Sequence, residues 1–271
     1  MVKKSCLWPP YAVGLVGEVM KPHERQPQIE AIIRREGEVS VEMLATRFDV
    51  SCETIRRDLG NLADLGRVEK VHGGARRARL IREPSHDRRE TTASAAKTAI
   101  GRRLAEAIRP GETLFIDTGS TTLAAAETLA AISGLTIITN SCRLAERIGR
   151  ISTDAVIHLL GGRYGADNAQ TFGIEVIDQL RAFRADRAIV TVTAIDADHG
   201  ATDASLDEAQ IARAMIRNAR AVTVLADASK FGQNAAYAVC ATEDIDLIIS
   251  DDKLDKVHKE ALIDKGVKLW T

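Results

Sequence analysis

The sequence predicts an α/β chain in which a small N-terminal helical unit precedes a larger unit of alternating strands and helices. Its 271 residues are enough for two domains. From Thr91 onward, continuous apolar runs alternate with amphipathic stretches, which is typical of a mostly parallel sheet covered on both faces. We therefore expect a disordered extension at residues 1–20, a first domain at 21–76, a linker at 77–90 and a second domain at 91–271.

The first domain begins with a predicted helix from about Arg25 to Glu36. A second, short helix carries an apolar face made of Val41, Leu44, Ala45 and Phe48. Ser51 is a good N-cap for a third helix, over about residues 51–62, and a strand-like RVEKV and the tight turn His72-Gly73-Gly74 follow. Two short helices followed by a β-ribbon are the parts of a winged helix-turn-helix.

The third helix and the ribbon indicate DNA binding. One helix fits the major groove of B-DNA, and its arginines can contact guanine edges or phosphates. Ten Lys/Arg stand against five Asp/Glu from Arg56 to Arg89, whereas from Thr91 to the end 20 stand against 24. Positive charge is thus concentrated where phosphates would need it. The candidate DNA contacts are Ser51, Thr54, Arg56, Arg57, His72 and Arg76.

Composition excludes several classes of protein. No apolar run approaches the roughly 20 residues that span a bilayer. The apolar patch near the N-terminus is too short and broken for a secretory signal, and Met20 is a candidate initiator. The four cysteines are far apart, which indicates reduced thiols in a cytoplasmic protein. The six histidines lack metal-ligand spacing, and His158, inside an apolar strand, is expected in the core. We expect no metal and no cofactor.

The second domain has six predicted strands before a short closing VKLW. They are Thr113–Asp117, Leu135–Thr139, Ala155–Leu160, Arg187–Val192, Ala221–Asp227 and Ile245–Ser250. In such folds, ligands bind beyond the carboxyl ends of the strands.

The end of the first of these strands has the composition of a phosphate site. A glycine, several hydroxyl groups and a following helix N-terminus occur together in Asp117, Thr118, Gly119, Ser120, Thr121 and Thr122. An ordinary capped turn explains the segment equally well. The segment matches neither a Walker loop nor a dinucleotide fingerprint, so ATP and NAD are poor candidates.

Other strand ends are polar as well. The second strand leads to Thr139 and Asn140, the third to Gly161, Gly162 and Arg163, and the fifth to Lys230. Asp203 and Glu208, in an acid-rich segment, can accept hydrogen bonds from a polyol or can be solvated loop residues. Polar ends at one edge of a sheet favour a small anionic, hydroxylated ligand.

The segments VSVEMLATRFDVSCETIRRDLGNL and VHGGAR resemble the DNA-binding part of DeoR-type repressors, and IDTGSTT, ITN, LGG and LADASKFG resemble their effector domain. The resemblance covers roughly Arg25 to Asp251. It implies a bacterial repressor of a sugar or polyol catabolic operon, a second domain resembling ribose-5-phosphate isomerase, and a phosphorylated inducer. The stretches SHDRRE and IDADHG look most like glycerol-3-phosphate regulon repressors.

The resemblance also implies site residues. It carries over to Asp117, Gly119, Ser120, Thr121, Asn140, Gly162 and Lys230 as effector positions. Two departures from the family pattern lie near the expected site and bear on the identity of the effector. Thr193-Ala194 replaces a glycine-containing turn, and Ala212 replaces a common lysine.

The expected function is a DNA-binding repressor, with operator DNA, a phosphorylated sugar or polyol, and further copies of the chain in a dimer or tetramer as partners. Activation instead of repression stays open. The alternative is a sugar-phosphate isomerase-like enzyme fused to a DNA-binding module, but no acid–base pair is identifiable from spacing, so no catalytic residue is named. A purely architectural DNA binder is disfavoured by the size of the second domain.

Overall fold

The structure, a computed structural model, describes residues 20–64, 67–77 and 85–271, with the side chains of Arg34 and Arg77 left out. The expected extension lies outside these residues except for Met20, and so does half of the expected linker, residues 78–84. The described chain forms two compact units. The first contains residues 20–63 and 68–77, and the second contains residues 85–271 together with Asp64 and Arg67.

The first unit, here called the helical unit, contains three helices and three strands. They are α1 (Pro22–Glu36), β1 (Glu38–Ser40), α2 (Val41–Phe48), α3 (Cys52–Asp64), β2 (Val68–Val71) and β3 (Gly74–Arg77). Local chemistry sets the helix ends. The Ser40 hydroxyl accepts from the amide of Met43 at 3.1 Å, and Asp49 ends α2 in the left-handed conformation. The three helices therefore form as the sequence predicts.

The strands of the helical unit form an antiparallel sheet in the order β1-β3-β2. Strand β1 was not expected, because three residues are too few to show a pattern. A Cβ on Gly74 would lie 2.1 Å from the carbonyl oxygen of Val39, so only glycine allows β1 to approach β3 here. The core below the sheet includes Ile29, Leu44 and Ile55, all fully buried.

The second unit, here called the α/β unit, contains the remaining elements. The helices are α4 (His86–Thr91), α5 (Ser94–Ala107), α6 (Ser120–Ala124), α7 (Ala126–Ala130), α8 (Cys142–Ile151), α9 (Ile174–Leu180), α10 (Leu206–Arg217) and α11 (Lys256–Asp264). The strands are β4 (Thr113–Ile116), β5 (Thr136–Thr139), β6 (Val156–Leu159), β7 (Arg163–Gly165), β8 (Gln170–Phe172), β9 (Ala185–Thr191), β10 (Ala194–Asp196), β11 (Gly200–Asp203), β12 (Ala219–Leu225), β13 (Tyr237–Cys240), β14 (Leu247–Ile249) and β15 (Lys268–Trp270).

The main sheet has seven strands in the order β15-β14-β12-β9-β4-β5-β6, and every neighbouring pair is parallel. Leu114 and Ile116 of β4 pack on one face with α5, α7 and α8, while Phe115 packs on the other with α9 and α10. Both faces are therefore covered, which confirms the predicted fold class. The small sheets β10-β11-β13 and β7-β8 were not predicted.

Among the described residues, strand β6 lies at one end of the main sheet and pairs only with β5. Val156 is 53% exposed and Leu159 is 48% exposed. His158 is also exposed, with its ring centroid 5.1 Å from that of Phe183. The expectation that His158 is a core residue was wrong, because an apolar run at a sheet edge is not covered like a central strand.

Two further expectations can be compared with the structure. Part of the expected linker is ordered, because α4 begins at His86, whose amide donates to Asp167 at 3.3 Å in the α/β unit. Cys52, Cys142 and Cys240 are free thiols. Among the described residues, no helix combines the length and the apolar character needed to cross a membrane.

Candidate functional site

Helix α3 presents a polar face above an apolar one. Ile55, Leu59 and Leu62 are buried, whereas Arg56 and Arg57 are exposed. At the start of the helix, the Ser51 hydroxyl accepts from the amide of Thr54 at 3.1 Å and lies 2.9 Å from the Thr54 hydroxyl. The sequence therefore folds α3 so that both arginines and the two capping hydroxyls face solvent on or near one side.

A buried ion pair fixes α3 against α1. Nε of Arg25 lies 2.6 Å from Oδ2 of Asp58, and both side chains are only 3% exposed. Nε2 of Gln26 donates to the other carboxylate oxygen at 2.9 Å. Breaking a buried pair leaves an uncompensated charge, so this contact constrains the orientation of α3 strongly. The sequence places Asp58 directly after Arg56-Arg57, but it does not show that Asp58 faces inward.

The ribbon carries His72 and Arg76. His72 is exposed at the turn between β2 and β3. Arg76 donates to the carboxylate of Glu69 at 2.7 and 3.0 Å, and this hydrogen bond raises the pKa of Arg76. The two residues are opposite each other in the ribbon. A contact from Arg76 to DNA would therefore compete with Glu69, which the sequence could not indicate.

A cavity lies in the α/β unit at the carboxyl ends of β4, β9 and β12. We call it the cationic cavity, because Arg89, Lys97 and Lys230 line it together with Ser120 and Thr121. Lys97 is 5% exposed, and its Nζ donates to the carbonyl oxygens of Arg89 and, at 2.8 Å, of Thr92. Arg67 lines the cavity too, so four cationic side chains meet hydroxyl groups there.

Gly119 allows β4 to approach β9 at the wall of this cavity. A Cβ on Gly119 would lie 2.2 Å from Oγ1 of Thr191. The amide of Thr191 donates to Asp117 at 2.6 Å, and its hydroxyl donates to the same carboxylate at 3.1 Å. Helix α6 begins directly afterwards, at Ser120. The polar segment after β4 is therefore held in place by β9.

A second cavity adjoins the first, and Arg89, Thr191 and Val192 line both. We call it the acidic cavity, because its lining includes Asp117, Asp203 and Glu208. Its other polar residues are Thr118, Asn140 and Gln170. Burial raises the pKa of Asp117 well above its ordinary value, and the charges of Glu208 and Asp203 raise it further, although the hydrogen bonds from Thr191 lower it.

Five of the predicted effector residues lie outside the lining of both cavities. The Thr122 hydroxyl donates to the carbonyl oxygen of Gly119 at 2.9 Å, and the Thr139 hydroxyl accepts from the amide of Ser141 at 3.0 Å. The other three, Gly161, Gly162 and Arg163, follow the edge strand β6.

The segment after β6 is held by neighbours away from the cavities. The amide of Gly161 donates to Gln179, and a Cβ on Gly162 would lie 2.8 Å from the carbonyl oxygen of Phe172. The guanidinium of Arg163 stacks 3.8 Å from the centre of the Phe172 ring and pairs with Asp207 at 3.3 Å. The paired glycines therefore allow close packing against Phe172 and Gln179 in this structure, and they do not line either cavity.

Sequence reasoning missed several cavity residues. Arg89 lies in the stretch whose charge was attributed to DNA binding, and Lys97 and Thr191 lie in a helix and a strand without any motif. Of the two departures, Thr193 lines the cationic cavity, whereas Ala212 is buried among apolar residues. The motif SHDRRE, which contains Arg89, was the available signal.

One group of side chains has the spacing of a metal site. In the described part of the chain, His86, Asp87 and Glu90 bring ligand atoms within 4.8 Å of one another. Nη1 of Arg143 lies 2.7 Å from Nδ1 of His86, and Arg143 pairs with Glu90 at 3.5 Å. A guanidinium therefore already supplies the positive charge at this place.

Family models match both units. The DeoR-like helix-turn-helix domain matches residues 25–79, and the DeoR C terminal sensor domain matches residues 92–252. The second match alone covers more than half of the 271 residues. The helical unit and the α/β unit thus correspond to the two parts of one family.

Curated relatives cover almost the whole chain. A glycerol-3-phosphate regulon repressor of Escherichia coli is 34% identical over 251 residues, which are 92% of this chain and 99% of the relative. The HTH-type transcriptional repressor GlcR of Bacillus subtilis is 32% identical over 92% of this chain and 96% of its own length. These relatives are repressors, which supports a regulator over an enzyme.

Among solved structures, ribose 5 phosphate isomerase A from Neisseria gonorrhoeae is similar at 15% identity and a TM-score of 0.39, covering 53% of this chain and 56% of the isomerase. The family assignment rests on the two domain matches and on the curated relatives. The chain belongs to the DeoR family of DNA-binding transcriptional repressors.

Proposed function

We propose that this protein represses a sugar or polyol catabolic operon and leaves its operator when a phosphorylated sugar or polyol binds the α/β unit. The observation that carries the proposal is the cationic cavity, where Arg89, Lys97 and Lys230 meet the hydroxyl groups of Ser120 and Thr121. Ammonium, guanidinium and hydroxyl groups are the donors that bind phosphate in proteins. Lys230, a residue suggested by the sequence, is therefore the first cavity cation to test.

On the DNA side, α3 enters the major groove in this proposal. Arg56 and Arg57 are adjacent on a helix and point about 100° apart, so one reads bases while the other contacts phosphate. Ser51, Thr54 and His72 contact the backbone or bases beside them. Arg76 contributes only when DNA phosphate displaces Glu69. A dimer or tetramer binds paired half-sites, because a symmetric protein matches a symmetric operator.

The cavity and the relatives support the proposed class of effector. A phosphorylated molecule with hydroxyl groups matches the cationic cavity and its polar neighbour. Glycerol-3-phosphate is the first candidate, because a relative at 34% identity is named as a repressor of its regulon. The departure at Thr193, which lines the cationic cavity, makes other sugar phosphates the next candidates.

Helix α4 supplies a route from ligand to DNA in this proposal. Lys97 holds the end of α4 through the carbonyl oxygens of Arg89 and Thr92, and both Lys97 and Arg89 line the cationic cavity. A bound phosphate competes with those carbonyls for the ammonium group and so loosens α4. The loosened α4 then lowers the affinity of the helical unit for DNA. The ligand must bind one arrangement of the chain better than the other, since equal affinity shifts nothing.

The test uses the full-length protein and DNA fragments that it selects from a random pool. Glycerol-3-phosphate, other phosphorylated sugars and their unphosphorylated parents are screened by thermal shift. A ligand at 100 times its dissociation constant should stabilise the folded state by about 2.7 kcal/mol. That ligand should also release the selected DNA. Lys230→Ala should weaken both effects, whereas Lys256→Ala, an 86% exposed lysine on α11, should leave both unchanged.

Two outcomes would contradict the proposal. The cationic cavity is not the effector site if Lys230→Ala leaves ligand affinity and DNA release as they are in the wild type. The effector class is wrong if no phosphate ester stabilises the protein while an unphosphorylated sugar or polyol does.

A further inference from the structure

The acidic cavity contains two buried polar atoms that the protein leaves unsatisfied. Within the described residues, Oγ1 of Thr118 and Oδ1 of Asn140 have no hydrogen-bond partner. Thr118 is 7% exposed and Asn140 is 1% exposed, and both line this cavity. Buried polar groups are nearly always hydrogen-bonded, because each orphan costs free energy. Two orphans in one cavity indicate a ligand that supplies their partners.

The orientation of Asn140 fixes the kind of partner. Its Nδ2 donates to the carbonyl oxygen of Thr171 at 2.9 Å and to the amide oxygen of Gln170 at 3.3 Å. The remaining atom, Oδ1, is therefore an acceptor, and it needs a donor from the ligand. The Thr118 hydroxyl can give or take a hydrogen bond. A hydroxyl group of the ligand can satisfy either atom, since it has one donor and two acceptor sites.

The carboxylates of the lining also favour hydrogen-bond donors on the ligand. Oε1 of Glu208 accepts from the side-chain amides of Asn168 and Gln170, both at 2.6 Å. Oδ1 of Asp203 accepts from the amide of Ser205 at 2.7 Å. These contacts hold the two carboxylates at the wall of the cavity, beside Asp117. A ligand carboxylate bound beside these carboxyl groups would be repelled, because like charges interact strongly in a buried site. The cation of the lining, Arg89, also lines the cationic cavity, and we assign it to the phosphate end of the ligand.

We propose that the acidic cavity binds the end of the effector remote from its phosphate and accepts neutral hydroxyl groups while rejecting carboxylates. This inference rests on the proposed function, because one ligand reaches both cavities past their shared residues Arg89 and Thr191. The effector is then a phosphorylated polyol or sugar, and the corresponding phosphorylated acid is excluded. Thr118 and Asn140 set this specificity together with Asp203 and Glu208.

The experiment compares matched ligands on the full-length wild-type protein by calorimetric titration. The pairs are glycerol-3-phosphate with 3-phosphoglycerate and glucose-6-phosphate with 6-phosphogluconate, and glycerol, glucose and inorganic phosphate serve as fragments. We expect the hydroxylated member of at least one pair to bind ~100-fold tighter than its acid, because a buried site built for hydroxyl donors discriminates strongly. This comparison needs no variant.

Two variants assign the discrimination to the acidic cavity. Thr118→Val keeps the shape of the side chain but removes its hydroxyl, and it should lower the affinity for the preferred ligand by about tenfold. Asp203→Asn removes a charge and should reduce the difference in affinity between the hydroxylated ligand and its acid. Thr98→Val is the control, because the Thr98 hydroxyl donates to the carbonyl oxygen of Ser94 on an exposed helix turn.

The outcomes separate this inference from the proposed function. Equal or tighter binding of the acids would overturn the inference and leave a phosphate-binding repressor. Failure of every phosphate ester in the panel to bind would overturn both. Selective binding of a hydroxylated phosphate ester, lost in Thr118→Val and retained in Thr98→Val, supports the inference.

Discussion

The two units place the polar residues of their motifs in opposite ways. In the helical unit, Arg56 and Arg57 are exposed, while the flanking apolar residues Ile55 and Leu59 are buried in the core. In the α/β unit, the polar segment after β4 is almost completely buried, with Thr118 and Ser120 each 7% exposed. A large partner such as DNA must be met at a surface, whereas a small ligand is enclosed by the protein. Burial of a motif thus distinguishes the size of its partner.

The comparison has one exception in each unit, and the exceptions are informative. Asp58 belongs to the exposed DNA-binding motif but is buried, because it anchors α3 to Arg25. Arg163 belongs to a polar strand end but is exposed and pairs with Asp207. Charged residues inside a motif can therefore stabilise the fold instead of contacting a partner.

The largest effect is expected for Asp58→Ala in the helical unit. Loss of the carboxylate leaves the Arg25 guanidinium buried without its partner, so the free energy of unfolding should fall by about 3–5 kcal/mol. Glu53→Ala, which removes an exposed partner 3.7 Å from Arg56, should change it by about 1 kcal/mol or less. Hydrogen exchange of the α1 and α3 amides measures both. Equal effects of the two substitutions would show that the Arg25–Asp58 pair is not an anchor.

Gly119→Ala should destabilise the α/β unit by about 1–3 kcal/mol, because the added Cβ would collide with Thr191. It should also abolish binding of the phosphorylated effector, since the wall of the cationic cavity would shift. Gly60→Ala is the matched control, because a Cβ there meets nothing within 4 Å. That substitution should stabilise α3 by roughly 0.5–1 kcal/mol. Thermal unfolding measures the stability of each variant, and ligand titration measures its affinity. An unchanged ligand affinity in Gly119→Ala would contradict the assignment of the cationic cavity as the effector site.

Arg57→Ala should weaken binding to selected DNA, by about 1–3 kcal/mol if Arg57 reads a base. If Arg57 contacts phosphate instead, binding to all sequences weakens and the salt dependence falls by about one unit of slope. Arg220→Ala, an 86% exposed arginine of the α/β unit, should do neither. Fluorescence anisotropy at several salt concentrations distinguishes the cases. Wild-type affinity and salt slope in Arg57→Ala would remove this residue from the DNA interface.

The smallest effect concerns pH and His86. Burial, followed by the nearby guanidinium of Arg143, lowers the pKa of His86 below its ordinary value of 6.5. The unfolded chain therefore takes up this proton first as the pH falls. Stability contributed at neutral pH should be lost from about pH 6.5 downward, and urea unfolding at pH 7 and pH 5 measures the loss. Between pH 7 and pH 5, the His86→Gln variant should lose less free energy of unfolding than the wild type. The control His199→Gln, at an exposed position, should lose as much as the wild type.

Much of the fold was predictable because strands and helices leave periodic patterns in the sequence. All seven strands of the main sheet were predicted, with ends within a few residues. The exposure of β6 was not predicted, since an apolar run does not show whether a strand is central or at an edge of the sheet. The winged helix-turn-helix was predicted from its apolar spacing and turn residues, but the short β1 was missed.

The candidate effector site was predicted only in part. Residues after β4 were found because glycine and hydroxyls cluster in the sequence. Thr191 was missed, because its contact with Asp117 joins positions 74 residues apart. Arg89 was missed because charge alone does not reveal which partner a cation serves. Contacts of this kind depend on tertiary packing, for which one sequence carries no local signal.

The two unsatisfied atoms of the acidic cavity bear on the lifetime of the protein. A ligand that supplies partners to Thr118 and Asn140 stabilises the folded state, by about 2.7 kcal/mol at 100 times its dissociation constant. Proteases in a cell remove chains from the small unfolded fraction, which depends steeply on such differences. A repressor built this way would be degraded faster when its effector is scarce. Its abundance would then rise with the same molecule that takes it off DNA, which would keep a reserve of repressor ready for the moment when the nutrient runs out.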